Sequence, residues 1–563
     1  MGTAPKQVMD GFSGYQREWL PADVTAGLTT AAVVVPKSLA FAAIAGLPLQ
    51  VGLATAFLPP VIYAVLGGSR PMSVSTTSTI AILTLAQVSQ VAPDGRPDLL
   101  VAVTATLCLL VGAILVLARV LRLGAVANLI SDPVLTGFKA GIGLVIVVDQ
   151  LPKLLGLHLP KQGFFRHVAA IVGHVPEASV PTVILGGTLL LAIVLLEHFA
   201  PRVPAPLVAV AAAIAASSLF GLKALGVETV GNVPGGLPAF TPPSLSYAAE
   251  LWPGAIGIAL MSFIETIAVG RAFRGREEPQ PEPNRELAAL GLANVAGGLF
   301  GCMPGGGGTS QTAVNRSAGA RSQLASLVTA AAALATLLFL APLIGLMPSA
   351  ALAAVVIATT VGLIKIGDFR EILRIRRTEF LWALAATAGV VLLGTLKGIL
   401  IAVLVSVVAL VAQSTRPPVY AVGRKRGTDV FRPLSPEHPD DETFPDLLLL
   451  RVVGRLFFLN LPRVTEELGR LIDSSRARVV VLDCSSVIDL EYTALKALVE
   501  AEERARSNGV LYCLAALNPE VRSVVEKSNL GKTLGRERMF FNLEQAVAKY
   551  PALLGPATPS TTA

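Results

Sequence analysis

Charge is scarce: only 15% of the 563 residues are Asp, Glu, Lys or Arg, against roughly 25% in an ordinary soluble domain. That shortage excludes a protein living wholly in water. Cysteine is also sparse. Cys108, Cys302, Cys484 and Cys513 are scattered without CxxC spacing, so neither a disulfide framework nor a structural zinc is expected. The five histidines form no HExxH or comparable pattern, and neither a metal nor a cofactor is expected.

Hydrophobic residues make up 53% of the chain, and they are unevenly spread. Divided at Arg416, the sequence holds about 44 charged side chains in its first part and about 39 in the much shorter second part, where ordinary globular composition returns. Lipid is therefore the expected solvent of the first part and water of the second. About +6 of the net charge of +7 falls in the apolar part, which places it in loops near lipid and calls for no nucleic acid. The opening stretch MGTAPKQVMDGFSGYQREWL is polar and carries Asp10 and Glu18, unlike a cleaved signal peptide. The first apolar run is expected to stay as a membrane span.

A bilayer core about 30 Å thick needs about 20 apolar residues in a helix. Candidate spans fall near residues 24–47, 51–66, 74–92, 99–118, 125–148, 181–196, 205–220, 251–273, 287–301, 309–318, 323–344, 350–364, 380–396 and 398–412. Several are too short to cross unaided and require irregular backbone buried in protein or lining a wet cavity. With both termini inside, the inner loops hold roughly 15 Lys and Arg against roughly 6 outside. The densest inner cluster is IGDFREILRIRR, residues 366–377.

The domain plan is a cytosolic N-terminal segment (1–22), a membrane domain (23–415), a Pro-rich acidic linker (416–446), an α/β domain (447–550) and a disordered tail (551–563). The linker reading rests on PLSPEHPDDETFPD, which cannot continue a helix. Beyond it, strand and helix patterns alternate.

Two stretches are odd for lipid-embedded sequence: SRPMSVSTTSTIAIL at 69–83 and GCMPGGGGTSQTAVNRSAG at 301–319. In each, Pro and small polar residues precede a helix-capable run. Such breaks leave free amides at a helix start, whose partial positive charge attracts anions. The two stretches hold corresponding positions in two halves, the pattern of an inverted-repeat transporter. A flexible loop and helix-packing glue are the plainer readings of each taken singly. A P-loop is rejected because the Lys after the last Gly of GCMPGGGGT is missing. Lys37 lies about 21 Å along its span from Asp23, and Glu265 midway along the eighth, where charges usually face a cavity or a partner. Lys139 and Asp149 are placed where they can approach opposite interfaces.

With these residues in view, the sequence resembles the SulP family, the sulfate permeases and their animal anion-exchanger relatives. The resemblance is carried by DVTAGLTTAAVVVPKSLAFAAIAGLP, GLATAFLPPVIYAVLGGSRPMSV, SDPVLTGFKAGIGLVI, NRELAALGLANVAGGLFGCMP and SQTAVNRSAGARSQLASL. The tail resembles a STAS domain through LLLLRVVGRLFFLN, VVVLDCSSVIDLEYTALKAL and GVLYCLAAL. It implies an α-helical polytopic membrane protein of about fourteen segments as two inverted repeats. It further implies a transport core of segments one to four and eight to eleven moving against a gate, a cytosolic α/β STAS domain, and a homodimer. It carries the substrate site over to Lys37, Ser38, Phe41, Ser73, Ser75, Thr76, Thr77, Gly308, Thr309, Ser310 and Gln311, and coupling to Glu265. Lys37 stands where many relatives have Gln, Phe41 where they have Tyr, and Gln311 where they have Arg.

A small anion is the implied substrate, with Lys37 supplying positive charge and backbone amides near Ser75 and Thr309 supplying hydrogen bonds. A buried Glu265 that takes up a proton relieves repulsion of the anion, so proton-coupled symport of a dicarboxylate such as fumarate or succinate, or of an oxyanion such as sulfate, is expected in a bacterial inner membrane. Sodium-coupled bicarbonate or chloride/bicarbonate-type transport is the nearest competitor. An anion-sensing scaffold signalling through the STAS domain to a cytosolic partner is the competitor of another class, and a channel a third. Thr493, beside Tyr492, is read as a helix-starting surface residue before it is read as a phosphorylation site. With His438 the tail's lone histidine, no hydrolase site is supported around Asp483, Cys484 and Asp489, and the chain is not expected to be an enzyme.

Overall fold

A computed structural model describes residues 15–554 apart from 94, 129–130, 161–162, 202, 232, 276–277 and 279. Packing divides the chain into two compact units, the first ending at Val407 and the second starting at Val408.

The first unit is helical: α1 (Leu20–Ile44), α2 (Leu49–Leu66), the two-residue strand β1 (Val74–Ser75), α3 (Ser78–Val91), α4 (Pro97–Val120), α5 (Asp132–Leu155), α6 (Phe164–His174), α7 (Val180–Phe199) and α8 (Ala205–Phe220). After a long connection come α9 (Ala248–Ala272), α10 (Pro283–Leu299), the strand β2 (Gly306–Gly307), α11 (Thr309–Ser317), α12 (Leu324–Ala335), α13 (Ala341–Gly345), α14 (Ser349–Val361), α15 (Ile366–Ile375), α16 (Arg377–Leu393) and α17 (Thr395–Ser414). A π-turn, Thr336–Leu340, joins α12 to α13. Among the described residues, eight helices are long and apolar enough to cross a membrane. Large apolar side chains on α7 and α17, Leu191 and Leu400 among them, remain exposed, as lipid-facing side chains do. This is a multi-pass membrane protein.

Two groups of helices show in the packing, joined where α1 also packs on α14 and α8. In one, α1 packs on α2, α11 and α12, while α9 packs on α3 and α4, and α10 on α2 and α4. In the other, α5 packs on α14 and α16, and α7 on α8 and α14. Small residues permit this closeness: a Cβ on Gly137 of α5 would come within 1.9 Å of the Ala383 carbonyl of α16. Backbones in such contact exchange dispersion over their whole crossing, which is how helices associate in lipid.

Two expectations for this unit are corrected. The fifth span, expected over 125–148, is the helix Asp132–Leu155. Its first turn holds Pro133 and its end is Gly156 in the left-handed region (φ 71°), signals stronger than continuous hydropathy. Two further helices, α6 and α15, form in stretches expected as loops; both carry apolar and polar faces, and α15 is the basic cluster noted above.

The second unit is an α/β sandwich. Its strands are β3 (Val419–Arg424), β4 (Phe431–Pro433), β5 (Leu447–Val452), β6 (Val479–Asp483), β7 (Leu511–Ala515) and β8 (Met539–Phe540). They form one sheet in the order β4-β3-β5-β6-β7-β8, parallel from β5 to β8. Val479, Val480, Val481 and Leu482 of β6 are all fully buried, as a central parallel strand covered on both faces requires. Helices α18 (Leu461–Ser474), α19 (Tyr492–Ser507), α20 (Pro519–Glu526) and α21 (Asn529–Leu534) cover one face. The last helix, α22 (Leu543–Leu553), packs on the other.

The linker expectation is therefore corrected: within 416–446, β3 and β4 form a hairpin that extends the sheet. Proline excludes a helix here but not an edge strand, where its missing N–H costs no ladder bond, and Pro433 sits in the edge strand β4. The tail expected from 551 begins inside α22; residues 555–563, like the N-terminal residues 1–14, lie outside the described residues.

Candidate anion site in the membrane unit

The two interrupted stretches meet. Val74 pairs with Gly307 and Ser75 with Gly306 in an antiparallel ladder, and α3 and α11 start immediately after it. Gly308 N donates to Ser73 O at 3.1 Å, and Ser73 N to Thr312 Oγ1 at 3.1 Å. Ser75 Oγ donates to Gln311 Oε1 at 3.0 Å, while Gln311 Nε2 donates to Ser73 O at 2.9 Å. Every one of these backbone groups is buried away from lipid and paired, which is what irregular chain at membrane depth requires.

The run of glycines has a steric cause. A Cβ on Gly307 would lie 2.7 Å from Met72 Sδ and 3.0 Å from Thr266 Cα, and one on Gly306 2.9 Å from Ser262 Oγ. The same helix α9 also fixes the strand, with Gly307 N donating to Thr266 Oγ1 at 2.7 Å and Ser262 Oγ donating to Gly305 O at 2.7 Å.

Beside the crossing lies a cavity of about 540 Å³. Lys37, Phe41, Thr76, Thr77, Gly308, Thr309, Ser310, Gln311 and Glu265 line it. Lys37, buried on α1, donates from Nζ to Ser310 Oγ at 2.8 Å. It points into the cavity rather than along the helix toward an interface. Thr77 caps α3, accepting from Ile80 N, and donates to Glu265 Oε2 at 2.9 Å. Gly308, the residue before α11, offers no side-chain cap, so the first amides of that helix keep donor capacity toward the cavity.

Three residues of the expected site stand behind the wall. Ser38 Oγ donates to Val35 O at 2.8 Å within α1. Ser73 and Ser75 brace the crossing through the bonds given above, and none of the three lines the cavity. Thr76 lines it, but its hydroxyl donates to Pro304 O.

Residues outside the expected set complete the cavity: Asp132, Thr136 and Lys139 from α5, and Lys365 and Asp368 at the start of α15. Lys139 Nζ lies 3.9 Å from Glu265 Oε1 on the cavity wall. The spacing of 132, 136 and 139 is one polar face of a helix, a signal visible once the start of α5 is set correctly. Lys365 pairs with Asp368 at 3.9 Å.

The profile of the sulfate permease family matches residues 20–386, and that of the STAS domain matches 438–546. The chain belongs to the sulfate permease family. Over 555 residues it is 34% identical to a probable sulfate transporter of Mycobacterium tuberculosis, covering 98% of each chain. The murine Solute Carrier 26 family member A9 anion transporter, solved in the inward-facing state, superposes with TM-score 0.90 at 21% identity, over 98% of this chain and 96% of that one. The transmembrane domain of a cyanobacterium bicarbonate transporter superposes with TM-score 0.59 at 24% identity, over 69% of this chain and 97% of that one. These two likenesses concern the fold. As a member of this family of transporters, the chain is an anion transporter of the membrane, with a C-terminal STAS domain.

Proposed function

We propose that the chain takes up a small dianion together with a proton, by alternating access across a bacterial plasma membrane. The observation that carries this reading is the position of Glu265. Its carboxyl lies on the wall of a cavity that also carries the amines of Lys37 and Lys139 and two helix starts, with Asp132 and the Lys365–Asp368 pair on the same lining. A carboxylate there repels an incoming anion, and one bound proton removes the repulsion. Anion and proton then favour each other's binding.

Sulfate is put forward as the substrate because the full-length Mycobacterium relative bears the name of a probable sulfate transporter. Dicarboxylates such as succinate or fumarate are the second dianion class that the same charges suit. Sodium coupling is the competitor to the proton.

The packing supports the repeat plan of two sets of seven segments. Both α1 and α9 have 25 residues. Helix α1 packs on α11 and α12 as α9 packs on α3 and α4, which is the exchange expected of two repeats. In this plan α1–α4 and α9–α13 form the transport core, and α5 with its neighbours the gate. The mouth of the cavity carries Lys365 and Asp368, beside the basic stretch placed inside by its charge. The conformation is therefore read as open to the cytoplasm, with both termini cytoplasmic. Kinship further suggests a homodimer and a STAS domain that answers to a cytosolic partner.

Uptake of radiolabelled sulfate into proteoliposomes, with and without an inward proton gradient, tests the reading. Saturable uptake that rises with the gradient and collapses with a protonophore is expected. Uptake driven by sodium and indifferent to pH overturns the coupling, and binding without turnover leaves a sensor.

A further inference from the structure

We infer that Lys139 selects the charge of the substrate: its amine is held by Glu265 while that carboxyl is ionised and is handed to a doubly charged anion when Glu265 is protonated. This rests on the proposed role of Glu265 as the proton-binding carboxyl.

The pair spans the cavity between the two helix groups. Lys139 comes from α5, which packs on α14 and α16, whereas Glu265 comes from α9, which packs on α3 and α4. The amine is 3.9 Å from the carboxylate, with the side chains 25% and 7% exposed. Glu265 is thus poorly solvated, and its other oxygen already accepts from Thr77. Losing its charge removes the main attraction on the amine, which stays on a cavity wall.

Charge accounting then separates anion classes. Around the crossing the cavity wall carries Lys37 from α1, Lys139 from α5 and Glu265 from α9. Asp132 lies near the start of α5, and Lys365 and Asp368 pair with each other at the start of α15. Glu197 on α7 does not line the cavity. With Glu265 ionised, Lys139 is spoken for and Lys37 alone faces the anion. With Glu265 protonated, two amines face it. Desolvation of an ion grows with the square of its charge, so a dianion costs about four times as much to bury as a monoanion of equal size. A second cation therefore matters far more to sulfate than to nitrate. The amine also bridges α5 and α9 while Glu265 is ionised, so proton uptake both loosens that bridge and completes the dianion site.

The test is the ratio of sulfate to nitrate uptake by the full-length chain in proteoliposomes, read within one preparation so that the amount of folded protein cancels. In Lys139→Gln the ratio is expected to fall at least tenfold, and its rise on acidification to flatten. Lys139→Arg, which keeps the charge, is expected to restore most of the ratio. A Lys139→Gln ratio and pH profile equal to those of the unsubstituted chain overturns the inference, as does a Lys139→Arg ratio as low as that of Lys139→Gln. Failure of the underlying reading looks different: the unsubstituted chain itself then shows no saturable, proton-driven uptake of either anion, and the inference falls with it.

Discussion

Ser75 and Gln311, 236 positions apart in sequence, are joined by a 3.0 Å hydrogen bond at the crossing of the two broken segments. Gln311 also donates to Ser73 O, so one side chain ties the second break to the first. The crossing sets the starts of α3 and α11 on one cavity, and everything said of anion binding depends on it.

Gln311→Ala removes two buried hydrogen bonds, those to Ser75 Oγ and Ser73 O, while Ser73 O keeps its bond from Gly308 N and Ser75 Oγ its bond to Thr76 O. A loss on the order of 1–3 kcal/mol of stability is expected, at about 0.5–1.5 kcal/mol for each bond. Thermal unfolding of the purified protein in detergent checks this, and an unchanged midpoint would show that the crossing holds without the amide.

The fold was legible in the sequence where backbone chemistry is explicit. Pro71 and the glycines of 305–308 announce broken helices, and their corresponding positions in the two halves pointed to one shared site. What escaped depends on contacts the pattern does not encode. The start of α5 was missed because the apolar run AVANLI leads straight into Ser131, Asp132 and Pro133, and with it the polar face carrying Asp132, Thr136 and Lys139. Ser38, Ser73 and Ser75 belong to the same polar runs as the lining residues, yet they point into the protein, because hydroxyls next to a break also satisfy its backbone. The strands β3 and β4 were concealed by prolines that exclude helix without excluding an edge strand.

Lys37→Gln keeps a donor for Ser310 Oγ and removes the charge. Anion affinity is expected to fall about tenfold or more, since hydrogen bonds to charged groups contribute about 1.5–3 kcal/mol. Equilibrium binding of radiolabelled sulfate measures it. An unchanged affinity would assign the compensation to the helix amides alone.

Glu265→Gln retains the bond to Thr77 and abolishes titration. The stimulation of uptake by an inward proton gradient is expected to vanish, read as the ratio of uptake with and without the gradient. A ratio equal to that of the unsubstituted chain places the proton site elsewhere.

In the second unit, Arg432 holds Asp441 through two hydrogen bonds of 2.8 Å, and this pairing keeps the Asp441 carboxyl below its usual range. The stabilisation is fully present above the ordinary aspartate value of about 3.9 and is lost as the pH falls through the lower folded value. The protection of amides in the β3–β4 hairpin, taken relative to the free-peptide exchange rate at each pH, is expected to be high at neutral pH and to fall below about pH 4. Asp441→Asn is expected to raise exchange there already at neutral pH; equal protection in both proteins would mean the pair contributes nothing. Burial pushes the thiols of Cys484 and Cys513 up to about 12, so slow reaction of both with alkylating reagents at neutral pH is expected.

The most direct test is to locate the anion itself. Selenate has sulfate's charge and shape and scatters strongly enough to be placed in an experimental structure of the full-length chain at acidic pH. Density between the starts of α3 and α11, within reach of Lys37 Nζ, is expected. Saturating selenate bound elsewhere, with that cavity holding only water, would contradict it.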